Sequence, residues 1–234
     1  MKVTILNPCE SKSLLTDWGE FASVCYDSNT NFARVGKHCL ESEHFSGSRW
    51  RYICFKIEDA PRFVIDQLVR HEQGVIKNVQ SFRYVGKDNF SYDIPKEIKD
   101  NPALFLRYTN YMAKGEQLYS DIKSFIKDKG FPEEHATEQA RYVLPMSTLS
   151  SVDIAFTVEA LIHLCHKRLC TRAEEPIRNL TKLIRNSVIT ILPELKDYLV
   201  PQCEYLLWCP EKNGCNKYPN KNKIKDLLNH EYKN

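Results

Sequence analysis

Apolar and polar residues follow two periods along this chain, and the switch between them divides it. Residues 2 to 6, Lys-Val-Thr-Ile-Leu, predict an opening strand that Asn7-Pro8 ends. Leu14 to Ser23 predicts a short helix, residues 28 to 38 read as polar and irregular, and Trp50 to Ile57, aromatic and β-branched, predicts a strand. A helix over 60 to 70 follows. Asp59 suits its cap, Pro61 its first turn, and Val64, Leu68 and either Ile65 or Val69 its apolar stripe. Val75 to Tyr84 reads as extended and residues 86 to 100 as a loop around Pro95.

From Pro102 the period becomes helical. Leu104, Tyr108, Met112, Leu118, Ile122, Phe125 and Ile126 mark one face, and Gly130 is a stop. Pro132 opens a further helix, with Glu133 and Glu134 at its positive end and Pro145 closing it. Another helix spans about 155 to 171. A last long one starts near Glu174, turns Ile177, Leu180, Ile184, Val188 and Ile191 inward, and stops at Pro193. Beyond Pro201 the pattern is irregular, with a short helix around Lys223 to His230. The predicted fold class is α+β: a small mixed or antiparallel sheet packed with helices, then a mostly helical C-terminal half. Residues 1–200 read as one domain and 201–234 as a tail containing Cys and Lys.

Composition narrows the function classes. A net charge of +3 on 234 residues, with basic residues spread along the chain, does not predict a nucleic-acid partner. No apolar run approaches the roughly 20 residues of a membrane span, and the polar sequence after Leu6 does not fit a signal peptide. Nine scattered cysteines, an odd number, predict reduced thiols and a cytoplasmic protein. Cys203, Cys209 and Cys215 are separated by five residues each, which is not a recognised zinc spacing, and His230 is distant, so no metal site is expected. Neither a Gly-x-Gly-x-x-Gly nor a Walker phosphate loop is present. A dinucleotide would have to be held by side chains and helix ends, across subunits if need be.

The richest stretch is Arg70-His-Glu-Gln-Gly-Val-Ile-Lys-Asn-Val-Gln-Ser81-Phe-Arg83-Tyr84. On composition alone a solvated basic turn beside a strand is the simpler account. Two guanidiniums, an imidazole and a hydroxyl this close also suit an anionic, hydrogen-bonding ligand such as a nucleotide phosphate. Gln67 lies three residues before Arg70, so on a helix the two share a face.

This constellation resembles the flavin-dependent thymidylate synthases, whose signature is Arg-His-Arg, seven residues, then Ser-x-Arg-Tyr, with a Gln three residues before the first Arg. Gln67, Arg70, His71, Ser81, Arg83 and Tyr84 match. Glu72 stands where the third signature Arg belongs, eight residues precede Ser81, and Val79 replaces a common Glu. A second block, Ala140-Arg141-Tyr142-Val143-Leu144-Pro145, matches the family's Ala-Arg-x-Val-Leu-Pro, although a cation near a helix C-terminus is also favoured by the helix dipole. In a third, Leu161, His163, Leu164, Arg168, Ala173, Ile177 and Arg178 match, while Lys167, Glu174 and Pro176 depart. His163 and His166, three apart on a helix, read first as solvated or packed histidines. Glu43-His44-Phe45-Ser46 echoes a flavin-contacting His-x-Ser/Thr, with Arg49-Trp50 replacing the usual Glu-His after it.

The resemblance implies synthesis of dTMP from dUMP, with methylenetetrahydrofolate as carbon donor, reduced FAD as hydride donor and NADPH as reductant, in a homotetramer with shared active sites. It implies Arg168 as the catalytic residue, polarising the pyrimidine ring. It implies Gln67, Arg70, Ser81, Arg83, Arg141 and Arg168 as dUMP-binding, and Ser46, Arg70, His71, Glu72 and His163 as FAD-facing. The carboxylate of Glu72 opposes flavin phosphates, and Lys77 is the nearby candidate to replace the lost cation. The departures leave open a homologue that binds a pyrimidine nucleotide without full synthase activity.

Overall fold

The computed structural model describes residues 1–8, 13–27 and 31–225. Its strands are β1 (Lys2–Ile5), β2 (Ile53–Pro61), β3 (Val75–Val79) and β4 (Leu149–Phe156). They form one antiparallel sheet in the order β1-β2-β4-β3. Around them run α1 (Leu14–Ser23), α2 (Phe32–Glu41), α3 (Arg62–Leu68), α4 (Lys96–Lys99), α5 (Pro102–Asp128), α6 (Glu133–Ala140), α7 (Val158–Arg168), α8 (Glu175–Ile191) and α9 (Gln202–Leu206). The expected α+β class holds, with the helix-rich half C-terminal to β3.

Several boundaries differ from the sequence pattern. Residues 28 to 38 are not irregular, since α2 occupies Phe32–Glu41 with the Asn31 side chain accepting from the Arg34 backbone N–H at 3.2 Å. A glycine inside a helix weakens it locally, and α2 contains Gly36. Its reason is tertiary: a Cβ on Gly36 would lie 1.8 Å from the Leu15 carbonyl oxygen, and one on Gly19 would lie 1.8 Å from that of Phe32. Glycines are what let α1 and α2 approach backbone to backbone.

Strand β2 runs to Pro61, beyond the expected Ile57, and a 3₁₀ turn, Phe45–Trp50, precedes it. Asp59 therefore caps nothing and sits inside β2 with a left-handed φ of 56°. Helix α3 is shorter than expected and ends at Leu68, so Arg70 and His71 lie in the turn beyond it. Strand β3 stops at Val79, and residues 82 to 84 form a turn. The expected loop holds α4. Strand β4 takes residues assigned to the start of a helix. The helix proper begins after Thr157, whose hydroxyl accepts from the Ala160 N–H at 3.2 Å, a cap typically worth about 1 kcal/mol. The irregular tail contains α9, and the helix expected around 223 to 230 falls largely outside the described residues.

The chain divides into two compact units, Met1–Ile57 with Gln67–Lys77 and Asp153–Asn234, and Glu58–Asp66 with Asn78–Val152. The first unit buries Trp18, Ile53, Phe55, Phe156, Leu161, Leu164, Ile177, Leu180, Ile184 and Val188. Phe55 and Phe156 meet edge to face at 6.0 Å. In α8 the buried residues recur at 3.6-residue spacing, as the pattern required. The second unit packs α6 on α5, burying Met112, Tyr119 and Ala136. The Tyr119 hydroxyl accepts from the Lys87 backbone N–H at 3.1 Å, so a buried ring keeps its polar end satisfied. Of the face expected on α5, Leu104, Leu118 and Phe125 remain exposed, together with Leu106 and Tyr111.

Candidate active site

In the first unit an open pocket of about 840 Å³ is lined by Arg49, Arg70, His71, Glu72, Gln73, Gly74, Val75, Glu159, Ala160, His163 and Arg168. It is built from the turn after α3 and the start and end of α7. Gly74 makes the turn possible: its φ is +67°, and its carbonyl accepts from the Thr157 N–H at 2.9 Å, which ties the turn to the N-terminus of α7. A Cβ there would fall 2.4 Å from the Thr157 hydroxyl.

At the other end of α7, Arg168 donates from Nε to His71 Nε2 at 3.1 Å and from Nη2 to the Gln67 carbonyl at 3.3 Å. Both acceptors are uncharged. Nε2 can accept only if the imidazole carries its proton on Nδ1, so His71 must be neutral. Its surroundings enforce this. Burial first, then Arg168, His163 and Lys77, pull its pKa down to about 4. The same crowding acts on Arg168, where burial and then the neighbouring Arg70 make its charge costlier, partly offset by Glu174. His163 packs edge to face on His71 at 5.9 Å. The result is a guanidinium with unused donors, set beside neutral groups and a second guanidinium. That is an arrangement for receiving negative charge.

The structure thus gathers Arg70, His71, Glu72, His163 and Arg168 around one pocket. Gln67 contributes its backbone carbonyl, while its side-chain amide donates to Glu174 at 2.5 Å. Ser46 lies exposed in the 3₁₀ turn Phe45–Trp50 and is not among the lining residues. Lys77 turns its ammonium onto the Val69 carbonyl and does not line the pocket either. The pocket's third cation is Arg49, which the sequence reading passed over as a departure. It forms a two-pronged pair with Glu159, at 2.8 and 3.3 Å. The partners are 110 residues apart, and no local pattern announces them.

Ser81, Arg83 and Arg141 belong to the second unit. The Ser81 hydroxyl accepts from the Arg83 backbone N–H at 3.3 Å, a local turn bond of the kind serine side chains make two residues on. The Arg83 guanidinium pairs with Glu138 at 3.3 Å and Glu134 at 3.7 Å, and stacks over the Tyr84 ring at 5.5 Å. Its Nε is buried and makes no hydrogen bond among the described residues. Arg141 follows α6 directly and reaches the same Glu138, at 3.8 Å. Two basic residues of the motifs therefore share one carboxylate.

Fold and pocket together define an α+β protein with a cationic pocket of the size that takes small-molecule ligands or cofactors. Residues 15–194 match the family model described as thymidylate synthase complementing protein, and the chain belongs to that family. A flavin-dependent thymidylate synthase of Nitratidesulfovibrio vulgaris is 34% identical over 182 residues, covering 77% of this chain and 74% of the relative. One from Pyrococcus furiosus is 27% identical, over 93% of this chain and 94% of its own. Among solved structures, a flavin-dependent thymidylate synthase of Helicobacter pylori complexed with FAD and dUMP has a TM-score of 0.58 at 16% identity, covering 87% of this chain and 99% of that one. A UMP/dUMP methylase of Streptomyces cacaoi bound with 5-Br dUMP has a TM-score of 0.60 at 16% identity, covering 84% and 93%.

Proposed function

We propose that this chain is a flavin-dependent thymidylate synthase that methylates dUMP to dTMP. The observation that carries the reading is Arg168, whose donors meet only neutral acceptors in a pocket that also holds Arg70 and His71. Arg168 is the catalytic residue. It stabilises negative charge developing on the uracil ring, and a permanently protonated planar group suits that role. Arg70, Ser81, Arg83 and Arg141 hold dUMP, with guanidinium on its phosphate, and Gln67 hydrogen-bonds the nucleotide once released from Glu174.

The pocket fits a flavin nucleotide in its three arginines, Arg49, Arg70 and Arg168, and in its volume of about 840 Å³. His71, Glu72 and His163 line it, and Ser46 completes the set of FAD-facing residues. When bound, FAD reduced by NADPH supplies the hydride, and methylenetetrahydrofolate supplies the carbon. The protein's part is to bind, orient and polarise. Residues 1–200 form the catalytic domain in this reading and 201–234 its appendage, in a cytoplasmic homotetramer whose chains share sites. The exposed apolar residues Leu104, Leu106, Tyr111, Leu118 and Phe125 on α5 support the assembly, since so many on one helix favour coverage by another chain. Among the described residues no helix is long and apolar enough to cross a membrane.

Anaerobic incubation with dUMP, methylenetetrahydrofolate, FAD and NADPH tests the reading. dTMP must form with the wild type and far more slowly with Arg168→Ala. One observation favours a second reading, a nucleotide-binding homologue without synthase activity: Glu72 faces the pocket with a charge that opposes phosphate. A colourless protein that still binds dUMP decides for it.

A further inference from the structure

Four of the cysteines share one small cavity. Cys170, Cys203, Cys209 and Cys215 line a space of about 180 Å³ in the first unit, between the end of α7 and the segment from α9 to Lys217. The sequence spacing of the last three matched no known zinc pattern, and the fourth residue sought was His230. The fold supplies a different fourth, Cys170, two residues beyond Arg168.

Two features shape this cavity. Lys167, Arg172 and Lys217 line the same wall. They also stitch it together: Arg172 reaches Glu211 at 3.2 Å and the Asn213 carbonyl at 3.4 Å, Lys217 reaches Glu204 at 3.0 Å, and Lys167 reaches Gln202 at 3.4 Å. The backbone also folds closely over the sulfurs. A Cβ on Gly214 would lie 2.7 Å from Cys209 Sγ, and Leu207 and Asn216 hold left-handed φ values of 59° and 64°.

We propose that Cys170, Cys203, Cys209 and Cys215 form a tetrathiolate site for Zn²⁺, contrary to the expectation that the chain holds no metal. Binding expels the four thiol protons and leaves a net charge of −2 on the ion and its ligands, beside Lys167, Arg172 and Lys217, of which Arg172 and Lys217 already pair with Glu211 and Glu204. Among the described residues no three His, Cys, Asp or Glu side chains already stand as a set that could hold an ion. The thiols must therefore turn inward, by rotations between staggered side-chain wells. Cys215 is exposed and Cys170 and Cys203 are only half-buried, so these three are free to do so. Four protein ligands close the coordination shell, which makes the site structural: it anchors the tail to the helix end that carries Arg168.

The proposal is independent of the flavin reading, and its test reads metal rather than activity. The full chain is purified in reductant, stripped with chelator, reloaded with Zn²⁺, dialysed and analysed by mass spectrometry, with thiols titrated in parallel. The expected result is close to one Zn²⁺ per chain. Cys209→Ser and the exposed-site variant Cys215→Ser should each lower retained zinc about tenfold or more, with far-ultraviolet circular dichroism unchanged for Cys215→Ser. Wild type that retains no zinc overturns the proposal. So does Cys215→Ser with wild-type zinc, or a purified chain without zinc in which two of these thiols are oxidised to a disulfide.

Discussion

The arginines of the two units carry equally clear sequence signatures yet stand in opposite electrostatic settings. Arg168, in the first unit, bonds to a neutral imidazole and a backbone carbonyl, and its charge, made costlier by burial and by Arg70, is only partly offset by Glu174. Arg83 and Arg141, in the second, share Glu138, and Arg83 also reaches Glu134. An anion arriving at Arg168 meets donors already aimed and unneutralised. One arriving at Arg83 or Arg141 competes with a carboxylate. Donors aimed without a carboxylate partner mark the first setting, and competition with a carboxylate marks the second.

Removing Arg168 breaks this contrast most severely. Arg168→Ala should lower kcat about 10² to 10³-fold while dUMP still binds by calorimetry, and Arg168→Lys should not restore the rate because it lacks the planar fork. Next comes the turn that shapes the pocket. Gly74→Ala forces an L side chain into a φ of +67° and against the Thr157 cap. It should cost about 1–3 kcal/mol in urea unfolding, with weakened flavin retention. The neutrality of His71 gives a pH signature. Its folded pKa of about 4 lies below the ordinary 6.5, so the unfolded chain takes up the proton first. Its contribution to stability is whole above pH 6.5, is lost as pH falls towards 4, and changes no further below that. Melting temperatures across this window should show that slope, and His71→Gln should flatten it. The smallest effect is expected in the second unit. Glu138→Gln frees two exposed-side guanidiniums from a pair worth about 1 kcal/mol or less, so dUMP affinity should rise no more than about fivefold. An Arg168 variant with undiminished turnover, or a Glu138 variant that gains far more, would reverse the ranking of the two units.

Much of the fold was legible. Helices α1, α5 and α8 follow from apolar spacing and from proline and glycine punctuation, and β1 from a short β-branched run. What misled was backbone behaviour that only packing explains. Residues 28 to 38 look irregular yet overlap a helix that Gly36 lets pack closely, while Asp59-Ala-Pro61 looks like a helix start and continues a strand. The candidate site was legible as residues and not as an arrangement. His71 and Arg168 could be named from their motifs, but the bond between them spans 97 positions. Arg49 and Glu159 belong to no motif that joins them, and Cys170 is too far along the chain to be counted with Cys203, Cys209 and Cys215.

The sequence by itself determined the α+β class, its long apolar-striped helices, which charged residues are available, and the family to which the chain belongs, because these depend on neighbours a few positions apart. Only the tertiary structure decided which arginine bonds to neutral acceptors, which histidine is held neutral, that Arg49 joins Arg70 and Arg168 at one pocket, and which cysteines face one cavity. Each of these depends on burial and on partners brought together by chain closure over tens of residues, a term that no local pattern records.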